Sequence, residues 1–479
     1  MSDKFSSTAD GQVKLAQSDQ LQSPDIDDAS VSASRLGLLS TMGLLTKIAT
    51  GRIEAIEEVF IRHGDIITIS LKAGQILLLG HPAHARYILQ ENSQNYVKEG
   101  IFWDKVRFFL GNGLPVGQPR SFWRRQRRMI QPQLHRKDLA KLLELMIASI
   151  EDSLNSWEEY ADSKCSFDIN EGFADLAMDV VVKTLFGTSV TESESQEIRR
   201  AVHVALDSIF WDMSLSSLPR WLPIRSQRRT REALVSCHHV VSSIINRQST
   251  AGRDDNTLLS MLLNVRDEDG TGMNEEQLRD EVFALLGGGY ETISTGLSWA
   301  VHLLLHSPEQ TQKLRREAQK VFCHGRPAPE DVPALKRSRW IFQEALRLYP
   351  PGWFLYRQAV QDDHIGDVPV QSGTIVIPVI YRMHHRADIW PRPQDFVPDR
   401  FDPTHAFACN VKNWMPFGGG ERICIGSEFA MTEAALVLAM LYQRYKISPA
   451  PGYRIRPHAS TTIRPKYGVA VQLRRCAGQ

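Results

Sequence analysis

Near the C-terminus, Phe417-Gly418-Gly419-Gly420-Glu421-Arg422-Ile423-Cys424-Ile425-Gly426 sets one cysteine in a glycine-rich loop, two residues after an arginine. A helix-forming run, Ser427-Glu428-Phe429-Ala430-Met431, follows at once. Glycines let a loop approach another group closely, and the positive end of a helix favours an anion. A sulfur held this way is suited to serve as an anionic axial ligand to haem iron. Upstream, Ala284-Leu285-Leu286-Gly287-Gly288-Gly289-Tyr290-Glu291-Thr292 places three glycines before an adjacent acid and alcohol, inside a long helical pattern. Each mid-helix glycine costs about 1 kcal/mol against alanine. Close helix packing explains one glycine readily and three less well. The functional reading is that the helix opens to admit a ligand against its backbone, with Glu291 and Thr292 offering a proton path and a hydrogen-bonding hydroxyl.

Two further sets have spacings that bind or brace. Trp123 and Arg127 sit four apart in Phe122-Trp123-Arg124-Arg125-Gln126-Arg127-Arg128, a basic, helix-like stretch. Glu344 and Arg347 are three apart on a predicted helix, so both face one way. An exposed pair of this kind is worth well under about 1 kcal/mol. Here the apolar flanks and the stop at Tyr349-Pro350-Pro351 favour burial.

The run Phe-x-x-Gly-x-Arg-x-Cys-x-Gly is matched at all five fixed positions and resembles the ligand loop of the cytochrome P-450 superfamily of haem-thiolate monooxygenases. Gly289-Tyr290-Glu291-Thr292 is similar to the family's Gly-x-(Asp/Glu)-Thr oxygen-activation motif. Where the family often has a second Thr or Ser, this chain has Ile293, with Ser294 one further on. Glu344 and Arg347 resemble the Glu-x-x-Arg pair, and Phe396-Val397-Pro398-Asp399-Arg400-Phe401 the segment whose Arg400 would complete it. These three residues are expected to clamp the ligand loop to the body rather than to do chemistry.

The resemblance implies haem b, with the Cys424 thiolate on the iron, and contacts from Gly288, Phe417, Gly420 and Gly426. It implies haem propionates held by Trp123, Arg127, Arg357 and Arg422. Phe417 would shield the sulfur. The implied reaction takes dioxygen and two electrons and oxidises a C–H or C=C bond of a lipophilic molecule. By family position the pocket is expected from Phe102, Trp103, Phe108, Phe109, Phe210, Trp211, Ala284, Trp353 and Phe354. These suggest a bulky apolar ligand such as a terpenoid. The alternatives are a fatty acid, with Arg107 as carboxylate anchor, and an oxidative ring-forming or coupling reaction. A gas sensor without turnover would not need the Glu291–Thr292 pair. A phosphate-loop reading of Gly418-Gly419-Gly420 fails for lack of the lysine and its spacing.

These residues require a body to position them. The 479 residues, 42% of them hydrophobic, are ample for a large core, and a formal net charge of +1 leaves no nucleic-acid footprint. The six cysteines lack Cys-x-x-Cys spacing, which argues against structural zinc or a disulfide framework and suits a reducing cytoplasm. Residues 1–30 are polar and expected to be disordered, leaving 31–479 as one domain. The apolar run from Leu36 to Ala49 is too short to span a bilayer. A hairpin is predicted across Ala73-Gly74. Helices are predicted over 82–90, 136–159, 173–186, 195–211, 229–248, 258–264 and 274–306. After Pro351 short strands and turns take over, with eight of the 24 prolines between residues 350 and 403. The expected fold is mainly α with a smaller β region (α+β), a long central helix lying over the haem. About fifty residues follow Cys424 without a flavin or iron–sulfur segment, so electrons are expected from a separate ferredoxin and its reductase. Arg124, Arg125 and Arg128 are candidates for the docking face. A monomer without a transmembrane anchor is expected.

Overall fold

The computed structural model describes residues 33–71, 74–134, 136–163, 165–187, 190–214, 225–250, 257–405 and 411–476. The polar stretch 1–30 and Ala73 of the predicted turn lie outside the described residues. Strand β1 (Ala33–Arg35) and helices α1 (Leu38–Ala49) and α2 (Glu54–His63) precede the hairpin β2 (Ile66–Leu71) and β3 (Gly74–Leu79). Helix α3 (Pro82–Arg86) runs through one π-helical turn, Tyr87–Glu91, toward β4 (Tyr96–Val97). The helical body follows. It comprises α4 (Ile101–Leu110), α5 (Arg120–Ile130), α6 (Arg136–Ser156), α7 (Glu158–Ser163), α8 (Ile169–Phe186), α9 (Glu192–Ser214), α10 (Arg225–Thr250), α11 (Leu258–Asn264), α12 (Glu275–Leu305), α13 (Pro308–Val321) and α14 (Lys336–Leu348), with β5 (Phe167–Asp168) between α7 and α8. The last quarter alternates β6 (Arg357–Ala359), β7 (Asp363–Ile365), β8 (Val368–Val370), β9 (Ile375–Pro378), α15 (Ile380–His384), α16 (Ser427–Arg444), β10 (Tyr445–Pro449), β11 (Pro457–Ala459), β12 (Ile463–Pro465) and β13 (Ala470–Arg475).

The main sheet has the order β1-β2-β3-β9-β6-β4. Its β2–β3 hairpin is antiparallel, with Leu71 opposite Gly74 and Ile66 opposite Leu79. The later strand β9 joins β3 in parallel, Leu77 against Val376, so the proline-rich segment is sewn to the N-terminal hairpin. Smaller sheets order as β10-β13-β5, β11-β12 and β7-β8.

Helix α12 is the axis of the core. Asn274 caps it in a reciprocal box, its side chain accepting from Gln277 N at 2.8 Å while its own amide donates to Gln277 Oε1 at 3.0 Å. Its 31 residues make a rod of about 46 Å. Leu278, Val282, Phe283 and Leu286 enter one hydrophobic cluster, and Ile293, Leu297, Ala300, Val301 and Leu304 another. Trp299 lies in a third, beneath the main sheet. A helix buried on nearly all sides loses its amphipathic signature, which is why its pattern reads as one long apolar run. Helix α16 repeats this on a smaller scale, buried without a break from Met431 to Tyr442.

Several helices begin earlier or end later than expected, α8, α9 and α10 among them, and another ends sooner. The predicted helix over 136–159 stops at Ser156, because Trp157 turns inward against Phe167 and Phe173 at ring separations of 5.0 and 5.6 Å. Helix α13 had no clear apolar periodicity in sequence, since it buries only Gln310, Leu314 and Ala318.

Candidate active site

The loop before α16 is shaped by two left-handed glycines. Gly418 has φ +77° and Gly420 φ +68°. A Cβ on Gly420 would stand 1.9 Å from the Leu89 carbonyl oxygen, so no side chain fits there. Cys424 N donates to Phe417 O at 2.9 Å, closing the loop on itself. Arg127 Nη1 grips it from α5 through the Ile423 carbonyl at 2.8 Å. From the other side Met415 N donates to His384 Nε2 at 3.0 Å. Burial and the nearby Arg347 charge hold His384 well below the usual histidine range, so its ring is neutral and free to accept. Phe417 meets Trp414 edge-on at 5.7 Å.

Cys424 keeps accessible surface, yet protein surrounds the sulfur closely enough that burial pushes the thiol up. Both hold if the sulfur faces an enclosed concavity rather than bulk water. The Gly426 amide, Arg127 and Lys98 pull the other way, toward thiolate. Accessible surface also remains at Gly288 and Thr292 on α12, although the rest of that helix is largely buried. Phe429 packs against clusters holding both Leu286 and Ile293, tying the start of α16 to the same stretch of α12.

Beside the loop lies a group of cations. Arg422 stacks over the buried Trp123 ring, its Cζ 3.8 Å from the centroid, and Arg127 lies 5.6 Å from the same ring. Arg357 is 5% exposed, and its Nη1 donates to the Tyr356 carbonyl at 2.8 Å. Lys98, which sequence reasoning missed, donates to Pro115 O at 2.8 Å and sits 4.3 Å from the Trp103 ring centroid. Burial followed by the charges of Arg357 and Arg422 pulls Lys98 well below the usual lysine range. Burial lowers Arg357 to about 10, and burial with Arg357 beside it lowers Arg422 to about 9. Glu421 partly offsets Arg422, but it is itself paired with Arg120 and Arg124. Arg422 Nη1 is buried without a partner. Crowded cations with an orphaned donor call for anionic oxygens, and a sulfur ligand stands beside them. Two haem propionates and a thiolate-bound iron fit that donor set.

On α12 the glycines divide by role. A Cβ on Gly289 would lie 2.7 Å from Val181 Cγ2, so Gly289 is a packing glycine. Gly288 faces open space. The expected opening of the helix is absent: α12 runs continuously, and Thr292 Oγ1 donates to the Gly288 carbonyl at 2.7 Å. Glu291 and Thr292 also diverge, as neighbours on a helix must. Glu291 Oε1 accepts from Thr462 Oγ1 at 2.6 Å, in the β11–β12 turn, while Ser294 turns back to the Glu291 carbonyl at 3.1 Å. Thr462 carried no sequence signal, being one of several hydroxyls in a loop.

Glu344, Arg347 and Arg400 do come together, all three buried. Glu344 accepts from Arg347 Nε and Nη2 at 2.8 and 2.9 Å, from Arg400 Nε at 3.0 Å and from Val397 N at 3.0 Å. Other guanidinium donors go to carbonyls, Arg347 to those of His384, Pro393 and Asp395 and Arg400 Nη2 to that of Arg392, while Arg400 Nη1 is buried without a partner. The triad therefore reaches the cysteine loop through His384 and Met415.

The expected pocket residues scatter. Phe102 stacks on Tyr356 at 5.2 Å and meets Phe354 at 6.0 Å, and Trp103 is buried with its indole donating to Tyr356 O at 3.2 Å. Ala284 is 7% exposed and would touch any Cβ on Gly113. Trp353 belongs instead to the core under the main sheet, its indole holding the Ser460 carbonyl at 2.9 Å. Phe108 is left 48% exposed. The side chains of Phe109, Phe210 and Trp211 lie outside the described residues. Arg107, weighed as a carboxylate anchor, is partly exposed and pairs with Asp104 at 3.0 Å. The arginines expected to form a docking face are engaged within the chain: Arg124 with Glu421, Arg125 with Asp267 and Arg128 with Glu268.

A sequence model of the family described as Cytochrome P450 matches residues 36–472. The chain is 31% identical over 392 residues to cyclooctat-9-en-7-ol 5-monooxygenase of Streptomyces melanosporofaciens, covering 81% of this chain and 84% of that protein. It is 32% identical over 406 residues to pentalenene oxygenase of Streptomyces avermitilis, covering 84% and 88%. Cyclooctatin synthase of Streptomyces melanosporofaciens is 31% identical over 409 residues, covering 84% and 87%.

Proposed function

Since the chain belongs to the cytochrome P450 family of haem-thiolate monooxygenases, we propose that Cys424 is the axial thiolate and that the enzyme oxidises a terpenoid. The cation group beside the cysteine loop carries the residue assignment, because two propionate carboxylates would supply the anionic oxygens that Arg422, Arg357 and Lys98 lack. Arg422, Arg357 and Lys98 would hold the propionates. Arg127 has one N–H on the Ile423 carbonyl and so both braces the loop and adds its charge. Haem b, when bound, supplies the oxygen chemistry and draws electron density from the thiolate.

The chain's own work is to hold, dry and orient. Phe417, Gly420 and Gly426 shape the thiolate side, with the Gly426 amide directed at the sulfur. Gly288 leaves room on the opposite helix, where Thr292 presents a hydroxyl at the break in burial. The Thr292 hydroxyl rests on the Gly288 carbonyl and can turn from it to hold a reacting oxygen. Glu291 brings protons from the β11–β12 turn through Thr462. Glu344, Arg347 and Arg400 keep the loop in register.

The terpenoid reading is supported by the α4 wall. Phe102, Trp103, Val106 and Tyr356 form an apolar cluster, while two of the three charged residues of α4, Asp104 and Arg107, pair with each other. Two of the relatives are named for cyclooctat-9-en-7-ol and pentalenene, whose names carry an alkene and at most one hydroxyl. We propose further that a ferredoxin and its reductase, as separate chains, deliver the electrons, and that the enzyme works as a cytoplasmic monomer. Among the described residues no helix is long and apolar enough to cross a membrane.

The test is reconstitution with ferredoxin, ferredoxin reductase, NADPH and labelled dioxygen over a panel of terpenoid hydrocarbons and fatty acids. A terpenoid product carrying one labelled oxygen is expected. Turnover confined to fatty acids would overturn the substrate class, and a Soret spectrum without thiolate ligation would overturn Cys424.

A further inference from the structure

The segment Gly111-Asn112-Gly113-Leu114-Pro115-Val116-Gly117 joins α4 to α5, and it is bound to α12 by two carboxyl groups. Asn112 N donates to Asp280 Oδ2 at 2.7 Å, and Leu114 N donates to Glu281 Oε2 at 2.9 Å. Both acids are buried, 8% and 1% exposed, ten or more residues before Glu291 and outside the cation group. Two glycines alternate with the donors for steric reasons. A Cβ on Gly111, at φ +58°, would lie 2.3 Å from the Asp280 carboxyl carbon. A Cβ on Gly113 would lie 2.7 Å from the Asp280 main-chain oxygen and 3.0 Å from Ala284 Cβ. The Asn112 side chain then closes the loop, accepting from Gln118 N at 2.9 Å and donating to Gln118 O at 2.8 Å.

This loop touches each part of the site. Lys98 donates to its Pro115 carbonyl, and Arg422 Nη2 to its Gly117 carbonyl at 3.3 Å. Leu110, at the end of α4, approaches Gly287 so that a Cβ there would be 3.6 Å from Leu110 Cδ2. Burial drives both acids toward the protonated form, Glu281 to about 8, and Glu281 Oε1 has no partner. An acid kept this dry is costly, and a surface-exposed loop would not require it.

We propose that Asp280 and Glu281 are positioning residues for substrate: they latch the 111–117 loop onto α12 and thereby set how far the α4 wall stands from the helix that carries Thr292. The inference rests on α4 lining the pocket, and not on the substrate being a terpenoid. A loosened latch frees the Gly111–Leu114 half of the loop while Pro115 and Gly117 stay held by Lys98 and Arg422, so the wall retreats and bulky ligands lose contact while small ones do not.

The experiment uses the haem-loaded enzyme and two azole probes that need no knowledge of the substrate. Imidazole is the small probe, and 4-phenylimidazole adds a phenyl ring that would extend from the iron toward the wall. The D280A/E281A variant should bind 4-phenylimidazole about tenfold more weakly, the effect of losing two backbone hydrogen bonds, and imidazole within about twofold of wild type. The D280N/E281Q variant keeps both acceptors and should restore the wild-type value. G113A leaves both carboxyls but wedges the loop off the Asp280 backbone, and should reproduce the selective loss. Hydrogen exchange of peptides spanning 110–116 should quicken in D280A/E281A and G113A. Equal weakening of both azoles, no weakening of either, failure of D280N/E281Q to rescue, or unchanged exchange would each overturn the proposal. Failure of wild type to shift its Soret band with imidazole would instead overturn the haem site.

Discussion

Replacing Glu344 by glutamine tests the buried triad most directly. Its carboxylate accepts four N–H groups, three from two guanidiniums and one from Val397, and none of the three side chains is solvent-accessible. Glutamine removes the only negative charge and turns an NH2 toward donors, leaving two buried cations uncompensated. Breaking a buried pair from one side costs about 3–5 kcal/mol. For 479 residues the unfolding entropy is about 1 kcal/mol/K, so the midpoint should fall by roughly 3–5 °C. Arg400→Met is the contrasting change. It loses the bonds to Glu344 and to the Arg392 carbonyl but leaves Glu344 and Arg347 as a neutral pair, at a cost of about 1–3 kcal/mol. Because Arg347 also holds the His384 carbonyl, and His384 holds Met415 N, the glutamine variant should lose haem in proportion to its stability. Scanning calorimetry and haem content per protein measure both effects. If R400M is hurt as much as E344Q, the uncompensated-charge account is wrong and the triad acts only through its shape.

Three other expectations follow from single contacts. Gly420→Ala should fail to retain haem, because its Cβ would overlap the Leu89 carbonyl, whereas Gly418→Ala, with Leu355 Cδ1 at 3.7 Å, should lose only about 1–2 kcal/mol to backbone strain; haem content separates the two. Glu281 has a folded pKa of about 8 against an ordinary 4.5, so between those values the folded chain keeps a proton that the unfolded chain has released. Stability from this group is therefore complete below the lower value and falls by about 1.4 kcal/mol per pH unit until the upper one, and E281Q should flatten the pH dependence of unfolding between pH 5 and 8 relative to wild type. Thr462→Val leaves Glu291 without its hydroxyl partner and should lower product formed per NADPH consumed several-fold, with unchanged substrate affinity; equal coupling in the variant would remove Thr462 from the proton route.

Local chemistry was legible at several places where a residue's neighbours in space are its neighbours in sequence, though not in α13. The cysteine loop was legible from its motif although Leu89 and Arg127 also shape it, while the ends of α12 at Asn274 and His306, the β2–β3 hairpin and the Glu344–Arg347 spacing depend on contacts within a few residues. So does the fold class, since a helix buried all round and a proline-rich run of short strands each leave their own pattern. Motif spacing also pointed to Arg400, which lies 56 residues from Glu344.

What only the tertiary structure decided depends on packing between distant segments. Gly289 and Gly288 are identical letters, and Val181 on α8 alone makes one a packing glycine while the other stays open. Trp353 and Trp103 are both aromatic beside an expected pocket, but one is claimed by the core and by Ser460, the other by Tyr356 and Lys98. Arg107 is found paired with Asp104 on its own helix, a partner the sequence reading did not name. Lys98, Thr462, Asp280 and Glu281 sit in no motif. Their importance comes from where burial strips water from a charge or a hydroxyl finds one carboxyl, and a linear pattern records residue type but not that desolvation.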